Sequence, residues 1–400
     1  MGPTSDLPAG DMTSCPSPSP LSCLIYSPEL ARYRYTPNHP LKNERLELTF
    51  GLIQAYGLHL LEGVRLAEPR LVREEELLAF HSQEYLEALR RVDEGSPFPS
   101  AFRYGLGTPD NPLFPGVFTW SLLVTGASLA AAEAVEEKGF RFAFSPSGGL
   151  HHAHADRASG FCYLNDPAVM IHSLLRRRRK VAYLDVDAHH GDGVQEAFYR
   201  TDKVLTISLH ESGLTLFPGT GFPEEMGAGE GRGYSVNLPF YLGTDDEVYL
   251  WAFEQIVPPL LSAFAPEVLV TQLGADSLRT DPLSNLCLSL QGFAHLVRRV
   301  RELTEEGGWK WIALGGGGYN LDNVPRAWTL VWALMNDQEL EPQIPASFLE
   351  SARSQGFTAE SLWDPPPPSS DSRQDQTRRY AEEQVKAIQE KIFPLHGLRA

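Results

Sequence analysis

The sequence predicts an α/β fold in which helices cover both faces of an open, mostly parallel β-sheet. Between Ser22 and about Asn336, short apolar runs alternate with longer stretches of helical character, the order typical of βαβ units. The apolar runs are nearly continuous, as expected of strands that are buried on both faces. With 400 residues, 42% hydrophobic and 21% charged, the composition is typical of a globular chain long enough for one large domain of this kind.

Five apolar runs are predicted as strands. Each is a short run made up largely of apolar residues. These strands are Arg141–Ser145, Lys180–Val186, Val204–Leu209, Glu267–Leu273 and Lys310–Leu314.

Four helices are predicted between or after these strands. Phe118–Glu137 is rich in Ala and Leu and is followed by Gly139, which favours a helix end. Asp166–Arg179 begins with Asp and Pro, a frequent pair in a first helical turn. The remaining two are Phe293–Glu306 and Val324–Asn336.

The two ends of the chain differ from the rest in composition. We expect residues 1–20, which are rich in Pro, Ser and Gly, to form a disordered leader, and residues 21–340 to form the main domain. Residues 341–400 are interpreted as a C-terminal extension with a Pro-rich linker over Asp364–Ser372. A helix is predicted from about Arg373 to Phe393, and its apolar stripe is expected to dock on the main domain or on a partner chain. The stripe consists of Tyr380, Ala381, Val385, Ile388 and Ile392.

Charge and composition argue against several functional classes. The net charge of −17 would repel phosphate backbones, so general nucleic-acid binding is not expected. We expect neither a membrane span nor a secretory signal, because we find no uncharged apolar run of about 18 residues and no basic, apolar start. The four cysteines form no CxxC pair and are too sparse for a disulfide scaffold. A cytoplasmic location is therefore predicted.

Polar side chains cluster just after the ends of the predicted strands. His151 and His152 follow the first strand, and Asp185, Asp187 and His189 close the second. Ligands of open α/β sheets bind beyond the carboxyl ends of the strands, so a site is predicted at this edge. The other residues placed there are Ser208, His210, Asp276 and the segment Gly315–Tyr319.

The segment DVDAHHGD at residues 185–192 predicts a metal site. Because side chains two apart on a strand point the same way, Asp187 and His189 are expected to converge on one cation, with Asp276 joining from another strand. Two carboxylates and one imidazole leave coordination positions open, as in a catalytic site. This donor set suits Zn²⁺ and would also accept Fe²⁺, Co²⁺ or Mn²⁺. The alternative is a salt-bridged polar turn.

Two further groups are candidates for catalysis. His151 and His152 are interpreted as an acid/base pair oriented by Asp185 and Asp192, the alternative being a histidine-rich surface tract. Tyr319 follows four glycines and could donate a hydrogen bond to a developing oxyanion, the alternative being a core tyrosine. A phosphate-binding loop is the competing interpretation of the glycines, but the lysine of a P-loop is absent.

Six motifs resemble those of the zinc-dependent histone deacetylase family, and in particular its class I-like bacterial branch, the acetoin-utilisation deacetylases. The resemblance extends from about Cys23 to Asn336, and it implies a three-layer α/β/α fold of the arginase/deacetylase type with an eight-stranded sheet. In chain order the motifs are YGLGTPDNPLFPG, HHAHADRASGFCYLND, DVDAHHGDG, FPGTG, LGADSLRTDP and LGGGGYN.

The resemblance also implies a role for individual residues. Asp187, His189 and Asp276 match the zinc ligands. His152 matches the general base and His151 its electrostatic partner, and the carboxylates behind these two histidines match Asp185 and Asp192. Tyr319 matches the residue that polarises the acetyl carbonyl. Arg45 resembles an internal-channel arginine. The substrate-binding positions implied are Asp110, Gly160, Phe161, Phe217 and Gly317. An inner potassium site is implied at Asp185, Asp187, His189, Ser208 and Leu209, and an outer one at Phe198, Thr201, Val204 and Tyr234.

The function that the resemblance implies is metal-dependent hydrolysis of the acetyl-lysine amide in proteins. The bacterial branch suggests a metabolic substrate such as acetyl-coenzyme A synthetase. Alternatives are an acetylpolyamine amidohydrolase and a non-catalytic acetyl-lysine-binding scaffold. A dimanganese ureohydrolase is disfavoured because Ser277 and Leu278 follow Asp276, where a second metal would need another carboxylate. One departure is Arg279-Thr280, where the family commonly has Ala-Gly, and this pair is expected near the pocket floor.

Overall fold

A computed structural model of the chain describes residues 22–95, 99–177, 179–366 and 374–399. The predicted leader over residues 1–20 lies outside the described residues, as does most of the Pro-rich linker, residues 367–372.

Within the described residues, a single sheet of eight strands forms the centre of the molecule. All seven neighbouring pairs are parallel, in the order β2-β1-β3-β8-β7-β4-β5-β6. The predicted α/β fold with a parallel sheet is therefore confirmed. The strands are β1 Ser22–Ile25, β2 Val64–Ala67, β3 Phe142–Ser145, β4 Val181–Asp185, β5 Val204–Glu211, β6 Ser235–Phe240, β7 Val268–Gln272 and β8 Lys310–Leu314.

Helices cover both faces of the sheet and complete three layers. One group packs around α5 and α6, and another around α8, α9 and α10. The helices are α1 Glu29–Arg32, α2 Glu44–Ala55, α3 Glu74–Leu77, α4 Gln83–Asp93, α5 Val117–Glu137, α6 Asp166–Arg176, α7 Asp192–Phe198, α8 Asp246–Phe264, α9 Leu290–Gly307, α10 Asn323–Met335, α11 Ala346–Ala352 and α12 Gln374–Lys391.

The five predicted strands match β3, β4, β5, β7 and β8 within two residues at each end. The four predicted helices match α5, α6, α9 and α10, although α6 ends at Arg176 rather than at Arg179. Helix α5 is long and apolar enough to cross a bilayer, but 72% of its most apolar window is buried inside the protein, as in a core helix.

The residues after α10 pack on the rest of the chain at two places. Ile344, Phe348 and Phe357 form a small apolar cluster with Leu48 and Leu52 of α2. Helix α12 covers the edge strand β6 and helix α8. The predicted apolar stripe of α12 thus docks on its own chain, with these residues buried: Ala381, Val385, Ile388 and Ile392.

Candidate functional site

The predicted metal ligands converge at the carboxyl ends of two central strands. Asp187 and His189 follow β4 and Asp276 follows β7, and the two strands pair directly through Asp185 and Gln272. The ligand atoms of the three residues lie within 4.8 Å of one another. Nδ1 of His189 is 3.1 Å from Oδ1 of Asp187 and 3.0 Å from Oδ2 of Asp276. All three side chains are buried.

The charge of this cluster favours a bound cation. Burial and the nearby charge of Asp187 raise the pKa of Asp276 to about 7, so two buried carboxylates are difficult to ionise together here. A divalent cation would relieve that repulsion, and oxygen and imidazole donors suit Zn²⁺ and related metals. Among the described residues this is the one group of three or more such side chains close enough to share an ion.

Backbone and side-chain donors fix the orientation of the two carboxylates. Oδ2 of Asp187 accepts from Nε2 of Gln272 at 2.6 Å and from the Gly317 N–H at 2.8 Å. Oδ1 of Asp276 accepts from the Ala188 N–H at 2.9 Å. Gln272 was not predicted from the sequence, although it is a polar residue at the end of an otherwise apolar strand.

The two histidines after β3 lie side by side above the ligand cluster. Their Nε2 atoms are 3.1 Å apart. Nδ1 of His151 contacts Oδ2 of Asp185 at 2.7 Å, and Nδ1 of His152 contacts Oδ1 of Asp192 at 2.8 Å. Each imidazole therefore has its own carboxylate, as the sequence predicts.

The two imidazoles differ in their electrostatic environment. Burial alone would lower the pKa of His151, but the charges of Asp185 and Asp187 raise it to about 9. Burial and the positive charge of His151 lower the pKa of His152 to about 4. Near neutral pH, His152 is therefore a neutral base beside a cationic His151, and the two histidines are suited to different tasks.

A narrow cavity of about 230 Å³ leads to His152 and His189. Phe161 and Phe217 form its walls, and the ring of Phe217 lies edge-on to His152 with centroids 5.0 Å apart. The predicted tunnel residues Gly160, Phe161 and Phe217 and the rim residue Asp110 all line it. Three further lining residues are Leu216, Leu283 and Tyr319, of which only Tyr319 was predicted from the sequence.

The wall of the cavity has an unusual backbone conformation at Gly160 and Phe161, with φ of 50° and 69°. A Cβ atom on Gly160 would lie 2.4 Å from Cδ2 of His152, so only glycine fits. The hydroxyl of Tyr35 donates to the Phe161 carbonyl at 2.7 Å and holds this turn in place.

Tyr319 lines the same cavity as His152 and lies next to Phe161. Its ring is edge-on to that of Phe161, with centroids 5.6 Å apart. The backbone N–H of Tyr319 donates to Oδ2 of Asp281 at 2.7 Å, and Arg45 donates to the Gly318 carbonyl at 2.9 Å. These two contacts fix the glycine segment that carries the Tyr319 phenol.

The comparisons with known proteins agree with this site. Residues 39–335 match the family model described as the histone deacetylase domain. The chain belongs to the histone deacetylase family. It is 40% identical to histone deacetylase B of Dictyostelium discoideum over 325 residues, which is 81% of this chain and 75% of that protein.

Two further relatives in the histone deacetylase family are bacterial. The acetoin utilization protein AcuC of Bacillus subtilis is 38% identical over 332 residues, covering 82% of this chain and 85% of that protein. The crystal structure of a histone deacetylase homologue from Aquifex aeolicus matches with a TM-score of 0.80 and 37% identity, covering 90% of this chain and 99% of that one. The family resemblance and its fold are thereby confirmed.

The residues that match the two potassium sites of histone deacetylases lie at neighbouring backbone positions. For the inner site, Asp185 of β4 pairs in register with Ser208 of β5, and Leu209 follows. For the outer site, Phe198 and Thr201 are joined by a 3.2 Å backbone hydrogen bond. Val204 begins β5, and the Tyr234 carbonyl accepts from Thr206 two residues further along that strand.

The departure from the family pattern at Arg279-Thr280 lies in the segment between β7 and α9. Neither residue is among those that line the substrate cavity. The Arg279 N–H donates to the Leu288 carbonyl at 2.9 Å, and the Thr280 hydroxyl contacts Oδ1 of Asn323 at 3.1 Å. The expectation that this pair shapes the pocket floor stays a prediction.

Proposed function

We propose that this histone deacetylase family hydrolase removes acetyl groups from the Nε atom of lysine in proteins and uses one Zn²⁺ ion. The observation that carries the proposal is the convergence of Asp187, His189 and Asp276 next to a cavity about 230 Å³ in volume, which His189 lines. An extended acetyl-lysine side chain fits such a narrow cavity better than a bulky or branched substrate does.

The ligand set would bind the cation, which when bound supplies Lewis-acid polarisation of the acetyl carbonyl and lowers the pKa of a water molecule. The neutral imidazole of His152 accepts the proton of the attacking water through Nε2, while Asp192 holds the opposite nitrogen. Cationic His151 stabilises negative charge that develops next to it. The same pair then returns a proton to the leaving lysine amine, which gives acetate and free lysine.

The phenol of Tyr319 is proposed to donate a hydrogen bond to the developing oxyanion. Burial raises the pKa of Tyr319 well above its usual value, so the hydroxyl keeps its proton as a donor must. Phe161 and Phe217 would pack on the methylene groups of lysine, and Asp110 at the rim would accept hydrogen bonds from substrate backbone amides.

We also propose potassium ions at the two backbone sites described above and a cytoplasmic location. The buried cysteines Cys23 and Cys162 are free thiols, as expected in a reducing compartment. The similarity to the acetoin utilization protein of Bacillus subtilis supports an acetylated metabolic enzyme, such as acetyl-coenzyme A synthetase, as substrate.

Acetate release by the zinc-loaded protein tests this function. An Nε-acetyl-lysine peptide and an acetylated polyamine are supplied at equal concentration, with Asp276→Asn as the inactive control. We expect kcat/KM for the peptide to exceed that for the polyamine at least tenfold. Faster polyamine turnover would favour an acetylpolyamine amidohydrolase, and tight peptide binding without acetate release would favour a non-catalytic reader.

A further inference from the structure

His154 bridges two carboxylates behind the acid/base pair. Its Nε2 atom is 3.4 Å from Oδ2 of Asp192, and its Nδ1 atom contacts Oε2 of Glu196. The His154 side chain is 10% exposed. The other oxygen of Asp192, Oδ1, is the one that holds Nδ1 of His152. The chain Glu196–His154–Asp192–His152 therefore runs from the surface of α7 to the reaction centre.

The geometry of this bridge favours a cationic imidazole. Both ring nitrogens of His154 face carboxylate oxygens, which accept hydrogen bonds when ionised and donate none. Burial alone would lower the pKa of His154, but hydrogen bonds and charges from Asp192 and Glu196 raise it to about 9. Other ionisable groups near this bridge are Arg157 in the same loop and His81, which contacts the backbone of His154 and Ala155. Three more line the same cavity as His154: Tyr199, Arg200 and Glu225.

The carboxylate behind the other histidine has different partners. Asp185 accepts from the Tyr183 hydroxyl at 2.8 Å and from the Asp187 N–H at 3.1 Å, and both are neutral donors. Asp192 instead accepts from the Gly193 N–H at 3.0 Å and faces a cation. The pairs His151–Asp185 and His152–Asp192 thus differ in what contacts their carboxylates. Of these two, it is the His152–Asp192 pair that is linked to the ion pair of His154 and Glu196.

We propose that His154 is a positioning residue for the reaction, a cationic bridge that holds Asp192 in the orientation that presents Oδ1 to His152. Only the effect of this role on kcat rests on the proposed deacetylase function. The charged bridge itself is a property of the folded chain. Losing it would free the Asp192 carboxylate to rotate and would leave its Oδ2 atom without a charged partner.

Three variants separate this role from a structural one. His154→Gln keeps a similar size but removes the cation, His154→Lys keeps the cation, and Glu196→Gln removes the outer carboxylate but keeps His154. We expect His154→Gln to lower kcat on the order of tenfold, with KM and zinc content within twofold of wild type. We expect His154→Lys to recover most of that loss.

The pH profile gives a signature that a purely structural role would not. We expect kcat to fall on the alkaline side as His154 loses its proton. Glu196→Gln should move this alkaline limb to lower pH, because the cation loses one stabilising charge. His154→Lys should move it to higher pH, because an ordinary lysine pKa is about 10.4. The proposal would be overturned if wild type, Glu196→Gln and His154→Lys all lost activity at the same alkaline pH. It would also be overturned if His154→Gln had the kcat of wild type.

A measurement without substrate keeps the proposal separate from the proposed function. Two-bond ¹H–¹⁵N NMR spectra at pH 7.5, with the His154 signals assigned by their loss in His154→Gln, should show protons on both ring nitrogens. A neutral tautomer would overturn the cationic bridge, whatever the protein hydrolyses. If the bridge is present but acetyl-lysine peptides are not cleaved, the proposed function fails and the charge assignment stands.

Discussion

Gly317 lies against the metal ligand candidate Asp276 so closely that a Cβ atom on Gly317 would be 2.0 Å from Oδ2 of Asp276. The same glycine donates its N–H to Oδ2 of Asp187 at 2.8 Å. One residue of the glycine segment after β8 therefore contacts both carboxylates of the cluster. The absence of a side chain there leaves room for the ligands in their observed positions.

A side chain at Gly317 should therefore weaken metal binding. We expect Gly317→Ala to lower zinc affinity at least tenfold, because Asp276 must move to make room. Competition with a chelator, followed by elemental analysis, measures the loss. Gly51→Ala in helix α2 is the matched control. A Cβ atom on Gly51 would lie 3.4 Å from Phe348, which is the lower edge of ordinary contact distances. Alanine also favours a helix over glycine. Equal zinc retention in both variants would contradict this account of the glycine.

Loss of the Tyr319 hydroxyl should affect turnover and spare the metal. We expect Tyr319→Phe to lower kcat about 100-fold or more, as the loss of an oxyanion donor does, with zinc content unchanged. Tyr56→Phe is the control, because that hydroxyl bonds only to the carbonyls of Glu341 and Gln343. Normal turnover of an acetyl-lysine peptide by Tyr319→Phe would remove the phenol from the mechanism.

Sequence patterns predicted the five strands that are apolar runs and the four helices next to them. Strands β1 and β2 were not predicted: β1 is the short run SCLI directly after the Pro- and Ser-rich leader, and β2 has the mixed sequence VRLA at the sheet edge. Strand β6 contains Pro239, and helix α8 contains Pro258 and Pro259, so both patterns argued against regular structure. In each case tertiary packing prevails over the local signal.

The site residues that directly follow a strand end could be predicted from the sequence. The site residues that meet only because the fold brings distant segments together could not. Asp187 and His189 follow one strand and Asp276 another, and parallel strands bring such ends together. The contacts of Gln272 with Asp187 and of His154 with Asp192 join segments 85 and 38 residues apart. No periodicity in the sequence encodes such pairings.

Shortening Phe217 should weaken substrate binding more than chemistry. Its ring is 44% exposed at the cavity wall, so removing it takes away part of an apolar contact. We expect Phe217→Ala to raise KM about fivefold, which corresponds to roughly 1 kcal/mol, with kcat within twofold. Phe102→Ala, 69% exposed and outside the cavity lining, should leave KM unchanged. An unchanged KM for Phe217→Ala would place the lysine stem elsewhere.

A buried ion pair far from the site should make stability depend on pH. Burial opposes ionisation of Glu76, but hydrogen bonds from Arg70 and Arg73 lower its pKa to about 2. This stabilisation is therefore present above the unfolded-state pKa of about 4.3 and is lost as pH falls towards 2. Chemical denaturation should show Glu76→Gln to be about 2 kcal/mol less stable at pH 7.

The difference between wild type and Glu76→Gln should shrink as the pH falls below about 4.3. Glu74→Gln is the control, since Glu74 is half-exposed and lies 3.8 Å from Arg90. A difference that is the same at every pH would mean that the ionised carboxylate is not the stabilising form.

The most direct test of the metal-dependent mechanism is acetate release from an Nε-acetyl-lysine peptide while Zn²⁺ is titrated into metal-free protein. We expect activity to rise linearly and to saturate at one equivalent per chain, and Asp276→Asn to stay inactive throughout. Full activity before zinc is added, or saturation only at two equivalents, would contradict a single cation held by Asp187, His189 and Asp276.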